Sequence, residues 1–386
     1  MMAKKILFCA TVDYHFKAFH LPTMKWFKEQ GWEVHVAASG NISLPFTDLK
    51  YNIPIQRSPF NLGNIQAYKE LKTIIAENQY TIVHCHTPLG GVLARLASTN
   101  SRKAGAKVIY TAHGFHFCKG APLLNWIIYY PIEKLLARLT DCLITINTED
   151  YSLAVDHQFK AARIDLVNGV GVDTTRFQPI TEKQKKERRL KLGFKQDDFL
   201  LFYAGEFNKN KNQKLLIKAM ANLKDELPKA RLLLAGEGTL LAECEKLAER
   251  LGVSSQVEFL GFRKDIDQIL PACDVAVGSS FREGLPVNIM EAMACGLPVV
   301  ASDNRGHREL VKVGWNGFLI KDMDVESFQH SLKKIYLNRK MGKSLGENGR
   351  QYIQLKFNKE SVFNQLAMVY KDFMNDKEVR RLWEAH

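Results

Sequence analysis

Twice along the chain, short unbroken apolar runs alternate with amphipathic helical stretches, and this recurrence limits the possible folds more than any other feature. In the first half, strands are expected at 5–10, 33–38, 82–85, 107–111, 142–146 and 164–167, with helices at 21–30, 65–77, 89–100, 126–139 and 149–158. Strands that are apolar without alternation must be covered on both faces, the condition of a parallel sheet wound by helices. A basic stretch, 178–195, interrupts the pattern: Lys183, Lys185, Lys186, Arg188, Arg189, Lys191 and Lys195 face only Glu182 and Glu187. It reads as a solvated linker or helix between domains. The alternation restarts with strands at 200–204, 231–235, 257–260, 275–278, 298–301 and 317–320. The expectation is α/β: two doubly wound parallel-sheet domains, 1–177 and 196–345, joined by the 178–195 region and followed by a helical tail, 346–386. Two such domains side by side place a ligand cleft at the carboxyl ends of their strands.

Composition narrows the function classes. With 46% hydrophobic and 25% charged residues, the 386-residue chain is neither disordered, collagen-like nor a solenoid. The net charge of +13 suits an anionic partner, which admits nucleic acid, an acidic membrane surface or a phosphorylated substrate. No nucleic-acid module is recognised, and outside 178–195 the basic residues are dispersed, so nucleic acid is not expected as a partner. Seven scattered cysteines without a C-x-x-C predict buried free thiols in a reducing compartment. The apolar run 6–12 is short for a signal core, and no run approaches the ~18 apolar residues of a membrane span. A cytoplasmic protein is expected.

The most informative stretch is 279–302, which reads strand, loop, helix, turn, strand. Pro286 suits the first helical position, and Gly296 the left-handed position after the helix end, with Pro298 following. The helix start at Gly284, Leu285, Pro286 and Val287 then presents free amides and the positive dipole end, where a phosphate can sit. Glu283 lies before that helix and Glu291 within it. Carboxylates there suit a sugar or a ribose diol, because each oxygen accepts charge-assisted hydrogen bonds from hydroxyls.

Together, E-G-L-P-x4-E-A-M-A-C-G-L-P-V-V-A, Gly205 to Lys211-Asn212, Leu234-Ala235-Gly236-Glu237-Gly238, Gly261-Phe262 and Asn316-Gly317-Phe318-Leu319 resemble the retaining GT-B glycosyltransferases of family 4, particularly bacterial exopolysaccharide and capsule transferases. In the first half His84-Cys85-His86-Thr87, Thr111-Ala112-His113-Gly114 and Asn168-Gly169-Val170 look like family landmarks. The resemblance implies a GT-B fold of two Rossmann-like domains, with the tail packing back on the first. It implies transfer of a sugar from a nucleotide-diphosphate sugar, UDP-linked by expectation, to a glycan or polyprenyl-diphosphate-linked acceptor, with retention of configuration. Glu291 would bind the ribose, and Glu283 the donor-sugar hydroxyls. Gly205, Lys209, Lys211, Gly236, Gly238, Phe262 and Arg263 would complete the donor site, Lys211 neutralising the diphosphate. His113 would meet the donor sugar, and Tyr14, His15 and His86 the acceptor.

Two departures from the family pattern stand out. Glu206 replaces the arginine that commonly follows Gly205, leaving either Lys209 or Arg282 to supply a second diphosphate cation or the clamp to rest on Lys211 and the helix end alone. The segment Thr11 to Phe16 reads as a loop without the glycine pair of many relatives, so that Tyr14, His15 and Phe16 either line the acceptor site or belong to an ordinary loop covering the sheet edge. His84-x-His86 and His113-x-x-His116 raise a metal site, but strand alternation puts His84 and His86 on one face with no carboxylate nearby, and there is no Asp-x-Asp. No metal and no cofactor are expected, lysine and helix dipole taking the metal's place. The segment 119–130 mixes basic, aromatic and aliphatic residues and suits either a core helix or peripheral docking on the inner face of an anionic membrane. Competing readings are a nucleotide-sugar 2-epimerase or sugar phosphorylase on the same architecture, and a non-catalytic nucleotide-sugar-binding protein. A dinucleotide-dependent oxidoreductase is disfavoured, since Gly236-Glu237-Gly238 lacks the third glycine.

Overall fold

The computed structural model of the protein describes residues 4–374. The chain forms two compact units, one reaching to Val170 and resumed from Val362, the other running Gly171–Ser361.

The first unit is built on strands β1 (Lys5–Val12), β2 (Glu33–Ser39), β3 (Leu49–Asn52), β4 (Ile82–His86), β5 (Lys107–Ala112), β6 (Cys142–Thr145) and β7 (Arg163–Leu166), ordered β3-β2-β1-β4-β5-β6-β7. Every described pairing is parallel. The two-residue period sorts the side chains. Leu7, Cys9, Val83, Cys85 and Tyr110 pack with Leu71, Ile75 and Leu93 of the helices Gly63–Asn78 and Pro88–Ala97. Ile6, Phe8, Ile82 and Ile109 face Met24 and Phe27 of the helix Leu21–Glu29, together with Val362, Val369 and Tyr370. β3 escapes a reading by hydrophobicity because it is a polar edge strand whose residues are half-buried or exposed.

The second unit repeats the plan with β8 (Phe199–Ala204), β9 (Ala230–Ala235), β10 (Val257–Gly261), β11 (Val275–Gly278), β12 (Val299–Ser302) and β13 (Gly317–Ile320), all parallel and ordered β10-β9-β8-β11-β12-β13. All seven cysteines are buried and free.

The structure corrects five expectations. Residues 178–195 are no linker: the helix Glu182–Lys191 belongs to the second unit, because Asp274 accepts bonds from Lys185 at 2.9 Å and from the buried Arg189 at 2.7 Å. The first boundary falls at Val170, so 171–177 belong to the second unit. The helix Arg339–Lys356 stays in that unit as well, leaving only the chain from Val362 to rejoin the first. Residues Tyr14–Phe19 are helical instead of a loop. Pro286 is the extended residue capping its helix, which begins at Val287.

Candidate active site

In both sheets the strand order reverses between two neighbours, β1 and β4 in the first, β8 and β11 in the second. Ligands of open α/β sheets bind where the strands' carboxyl ends part at such a reversal. In the second unit, the loops leaving β8 and β11 carry Lys211 and Glu283, and these meet: Lys211 Nζ donates to Glu283 Oε1 at 2.6 Å. Their side chains retain 22% and 13% exposure, enough to reach a ligand yet shielded from full solvent screening. An ammonium has three donors, so the pair aims Lys211 without exhausting it.

The two loops are stitched together. Asn210 Nδ2 donates to the Arg282 carbonyl at 2.9 Å, the Phe281 amide to the Asn210 carbonyl at 2.8 Å, and Ser279 Oγ to the Lys211 carbonyl at 2.7 Å. From the other side, Ser302 Oγ and Asn304 Nδ2 both donate to the Ser280 carbonyl, and Arg305 Nε to the Glu283 carbonyl at 3.1 Å. Gly306 lies so close that a Cβ there would come within 2.7 Å of Glu283 Cβ. Glu283 is therefore held by backbone contacts on both flanks.

The helix Val287–Ala294 follows, its first turn lacking intrahelical acceptors as any helix start does. Asn288 Nδ2 donates to the Ala204 carbonyl at 2.7 Å, tying this helix start to the end of β8. Gly296 takes the expected left-handed φ of 77°. Glu291, in the second turn, has its carboxyl pushed up to about 7 by burial, opposed by the Arg176 guanidinium. Arg176 is itself anchored on Asp267 Oδ1 at 2.7 Å and the Lys264 carbonyl at 3.3 Å.

Of the other expected donor residues, Gly236 and Gly238 are explained by packing between loops. At their φ values of 139° and 150°, a Cβ would strike the Gly205 carbonyl at 2.2 Å and the Phe207 backbone at 2.5 Å. Phe262 is 60% exposed and offers an open ring face, whereas Arg263 is engaged by Asp265 at 2.6 and 2.8 Å. Lys209 and Arg282 are exposed, and the Glu206 carboxylate accepts from Asn208 Nδ2 on its own loop. The cation that reading the sequence missed is Arg305, 7% exposed and bonded beside Glu283. Its signal was a positive charge in the first turn of a helix, against the dipole, just after the Asn304 cap.

In the first unit His15, His20, His86 and His113 gather at the β1/β4 reversal. His15 Nε2 and His20 Nε2 are 3.0 Å apart, and His86 Nδ1 and His113 Nε2 3.2 Å apart. Burial holds the imidazoles neutral, His113 falling to about 4 and His15 to about 2. Tyr14 is exposed, Phe16 is fully buried in the core, and His86 is fully buried too, so His86 has no surface to offer an acceptor. His84 was set beside His86 as expected, and is bonded to Tyr370 and Thr111 at 2.5 and 2.8 Å.

Residues 184–352 match the family model for glycosyl transferases group 1, and residues 5–147 the glycosyl transferase 4-like model. A Bacillus subtilis (strain 168) protein, EpsD, named as a glycosyltransferase, is 52% identical over 97% of this chain and 98% of its own length. The chain belongs to the family 4 glycosyltransferases. An Escherichia coli relative of this family member, UDP-Gal:alpha-D-GlcNAc-diphosphoundecaprenol alpha-1,3-galactosyltransferase, is 29% identical over 81% of the chain and 82% of its own length. Among solved structures, Anabaena HepE in complex with UDP and glucose aligns with a TM-score of 0.78 at 20% identity, covering 96% of this chain and 100% of that one. WaaG, a glycosyltransferase involved in lipopolysaccharide biosynthesis, aligns with a TM-score of 0.73 at 19% identity over 94% of this chain and 99% of that one. The two parallel α/β units of this glycosyltransferase are those of the GT-B fold.

Proposed function

We propose that this glycosyltransferase moves a hexose from a UDP-sugar to a hydroxyl of a polyprenyl-diphosphate-linked glycan, with retention, in the synthesis of a bacterial surface polysaccharide. The observation that carries the donor half is the Lys211–Glu283 pair fixed beside the start of the helix Val287–Ala294. As the bond from the sugar's anomeric carbon to the diphosphate oxygen breaks, charge grows on that oxygen. A pre-aimed ammonium and an open helix start stabilise it without reorganising. Glu283 accepts from sugar hydroxyls, Glu291 from the ribose diol, and the Phe262 ring stacks on the base. Lysine, Arg305 and helix dipole do at the diphosphate what a chelated metal does in other transferases. The acceptor oxygen attacks on the face the diphosphate leaves, and its proton passes to the departing diphosphate oxygen. Positioning and charge stabilisation then suffice, with no protein nucleophile. His113, partly exposed, orients the donor sugar, and Tyr14 and His15 face the acceptor.

A lipid-linked acceptor is supported by the Escherichia coli relative, whose name specifies a diphosphoundecaprenol substrate. It is also supported by the helix Leu123–Leu136, where Leu123, Leu124, Ile127 and Leu135 are 62–74% exposed. No helix among the described residues is long and apolar enough to cross a membrane, so docking would be peripheral, on the cytoplasmic face. The test is incubation with a panel of UDP-sugars and a diphosphopolyprenol-linked sugar, the product's anomeric configuration read by NMR. The expected product keeps the donor's configuration, and Lys211→Ala lowers kcat by about 100- to 1,000-fold. An inverted linkage, or full activity in Lys211→Ala, would refute the reading.

A further inference from the structure

We infer that the four histidines of the first unit bind one divalent transition-metal ion of the zinc class. One nitrogen from each of His15, His20, His86 and His113 lies within 4.8 Å of the other three. Four nitrogens tetrahedral about zinc at ~2.0–2.1 Å lie roughly 3.4 Å from one another. The His15 and His20 nitrogens, already 3.0 Å apart, need almost no movement, and the wider pairs close by side-chain rotation. Three independent segments converge: His15 and His20 from the helices after β1, His86 from the end of β4, and His113 from just beyond β5.

The second observation is His86 Nε2, which is buried without a hydrogen-bond partner in a residue of 0% exposure. Leaving an imidazole nitrogen dry and unpaired costs about 1–3 kcal/mol. Among the rings around it are the other candidate ligands, His20 at 4.1 Å and His15 at 5.3 Å between ring centroids, and an ion shared with them would satisfy it. Phe8 and Phe16, both fully buried, wall the inner side of the cluster at 5.8–6.5 Å from histidine centroids. Imidazole ligands select zinc, cobalt, nickel or copper over magnesium or calcium. Among the described residues no carboxylate belongs to the cluster, so the bound ion keeps its full charge.

The cluster shares His113 and His15 with the roles proposed above for the donor sugar and the acceptor, but its test needs no substrate. The full-length chain, freed of any histidine tag and dialysed against a chelator, is titrated with Co²⁺. The expected result is intense visible ligand-field absorption that saturates at one equivalent and is abolished by Zn²⁺. His15→Gln and His113→Gln, the less buried pair and so the safer to replace, weaken binding at least about tenfold, and the exposed His330→Gln leaves it unchanged. Equal Co²⁺ uptake by the wild type and a folded His15→Gln/His113→Gln double variant, or no tetrahedral absorption in the wild type, overturns the proposal and leaves a packed imidazole cluster.

Discussion

At the scale of single residues, Glu291 is the group whose chemistry can be read most directly by titration. Burial raises its carboxyl from 4.5 to about 7, so the empty site holds the proton to near neutrality. A carboxylate that accepts from both hydroxyls of a diol prefers to be ionised, so donor binding releases that proton. The affinity for UDP-glucose, whose diphosphate diester does not titrate here, therefore rises about tenfold from pH 6 to pH 8 and levels off above. The stability of the empty protein runs the other way. A raised folded pKa contributes fully below about 4.5, and its contribution is lost as pH rises through 7. Glu291→Gln flattens both profiles, which calorimetry and thermal unfolding across that range would measure. A pH-independent affinity in the wild type would remove Glu291 from the ribose. The roles of neighbouring residues were unequally legible in sequence. Lys211 and Glu283 were each picked out by motif, but their pairing depends on two loops far apart in the chain being bound carbonyl to side chain, which no local pattern encodes.

Among the elements, those with strong periodicity were legible and those made by tertiary context were not. The buried strands were found to within two residues because both faces are covered, so their composition is uniform. β3 was missed because an edge strand has little to bury. The helix Tyr14–Phe19 was missed because only Phe16 in it is buried, leaving no apolar stripe to detect. That miss hid the metal-like cluster, since His15 and His20 reach His86 only when the segment is coiled. The helix Leu123–Leu136 divides its faces. Trp126, Tyr129 and Tyr130 pack on the sheet's core, while Leu123, Leu124, Ile127 and Leu135 stand in solvent, with Lys119 and Lys134 nearby in sequence. The buried face carries the fold, so the exposed one can be changed without unfolding. Leu124→Glu/Ile127→Glu should lower sedimentation with anionic vesicles at least about fivefold, given the ~1.5–3 kcal/mol that each aliphatic side chain gains on burial, while leaving the unfolding temperature unchanged. Unaltered vesicle binding would move the membrane contact elsewhere.

On the scale of the whole molecule, both units place their chemistry where the strand order turns, the histidines at β1/β4 and the Lys211–Glu283 pair at β8/β11. The units differ in how they are completed. The second is continuous from Gly171 to Ser361, whereas the first depends on chain that returns after it. Val362, Val369 and Tyr370 are at most 4% exposed and lie in the first unit's core with Phe8, Phe27 and Ile82. Tyr370 also bonds His84 Nδ1, beside His86, and Arg163 pairs with Asp372. At ~1.5–3 kcal/mol per buried side chain, losing these three removes roughly 5–9 kcal/mol, comparable with the ~5–15 kcal/mol by which a domain is stable. Ending the chain at Ser361 should therefore unfold the first unit and leave the second intact. Hydrogen exchange would then be fast in β1 and β4 and still slow in β8 and β9, and nucleotide binding would persist while Co²⁺ binding vanished. Protection of β1 in the truncated chain would mean that the returning helix adds little to the core it enters. Tyr370→Phe isolates the smaller effect, because it keeps the packing and removes only the hydroxyl on His84, at a cost of about 1–3 kcal/mol.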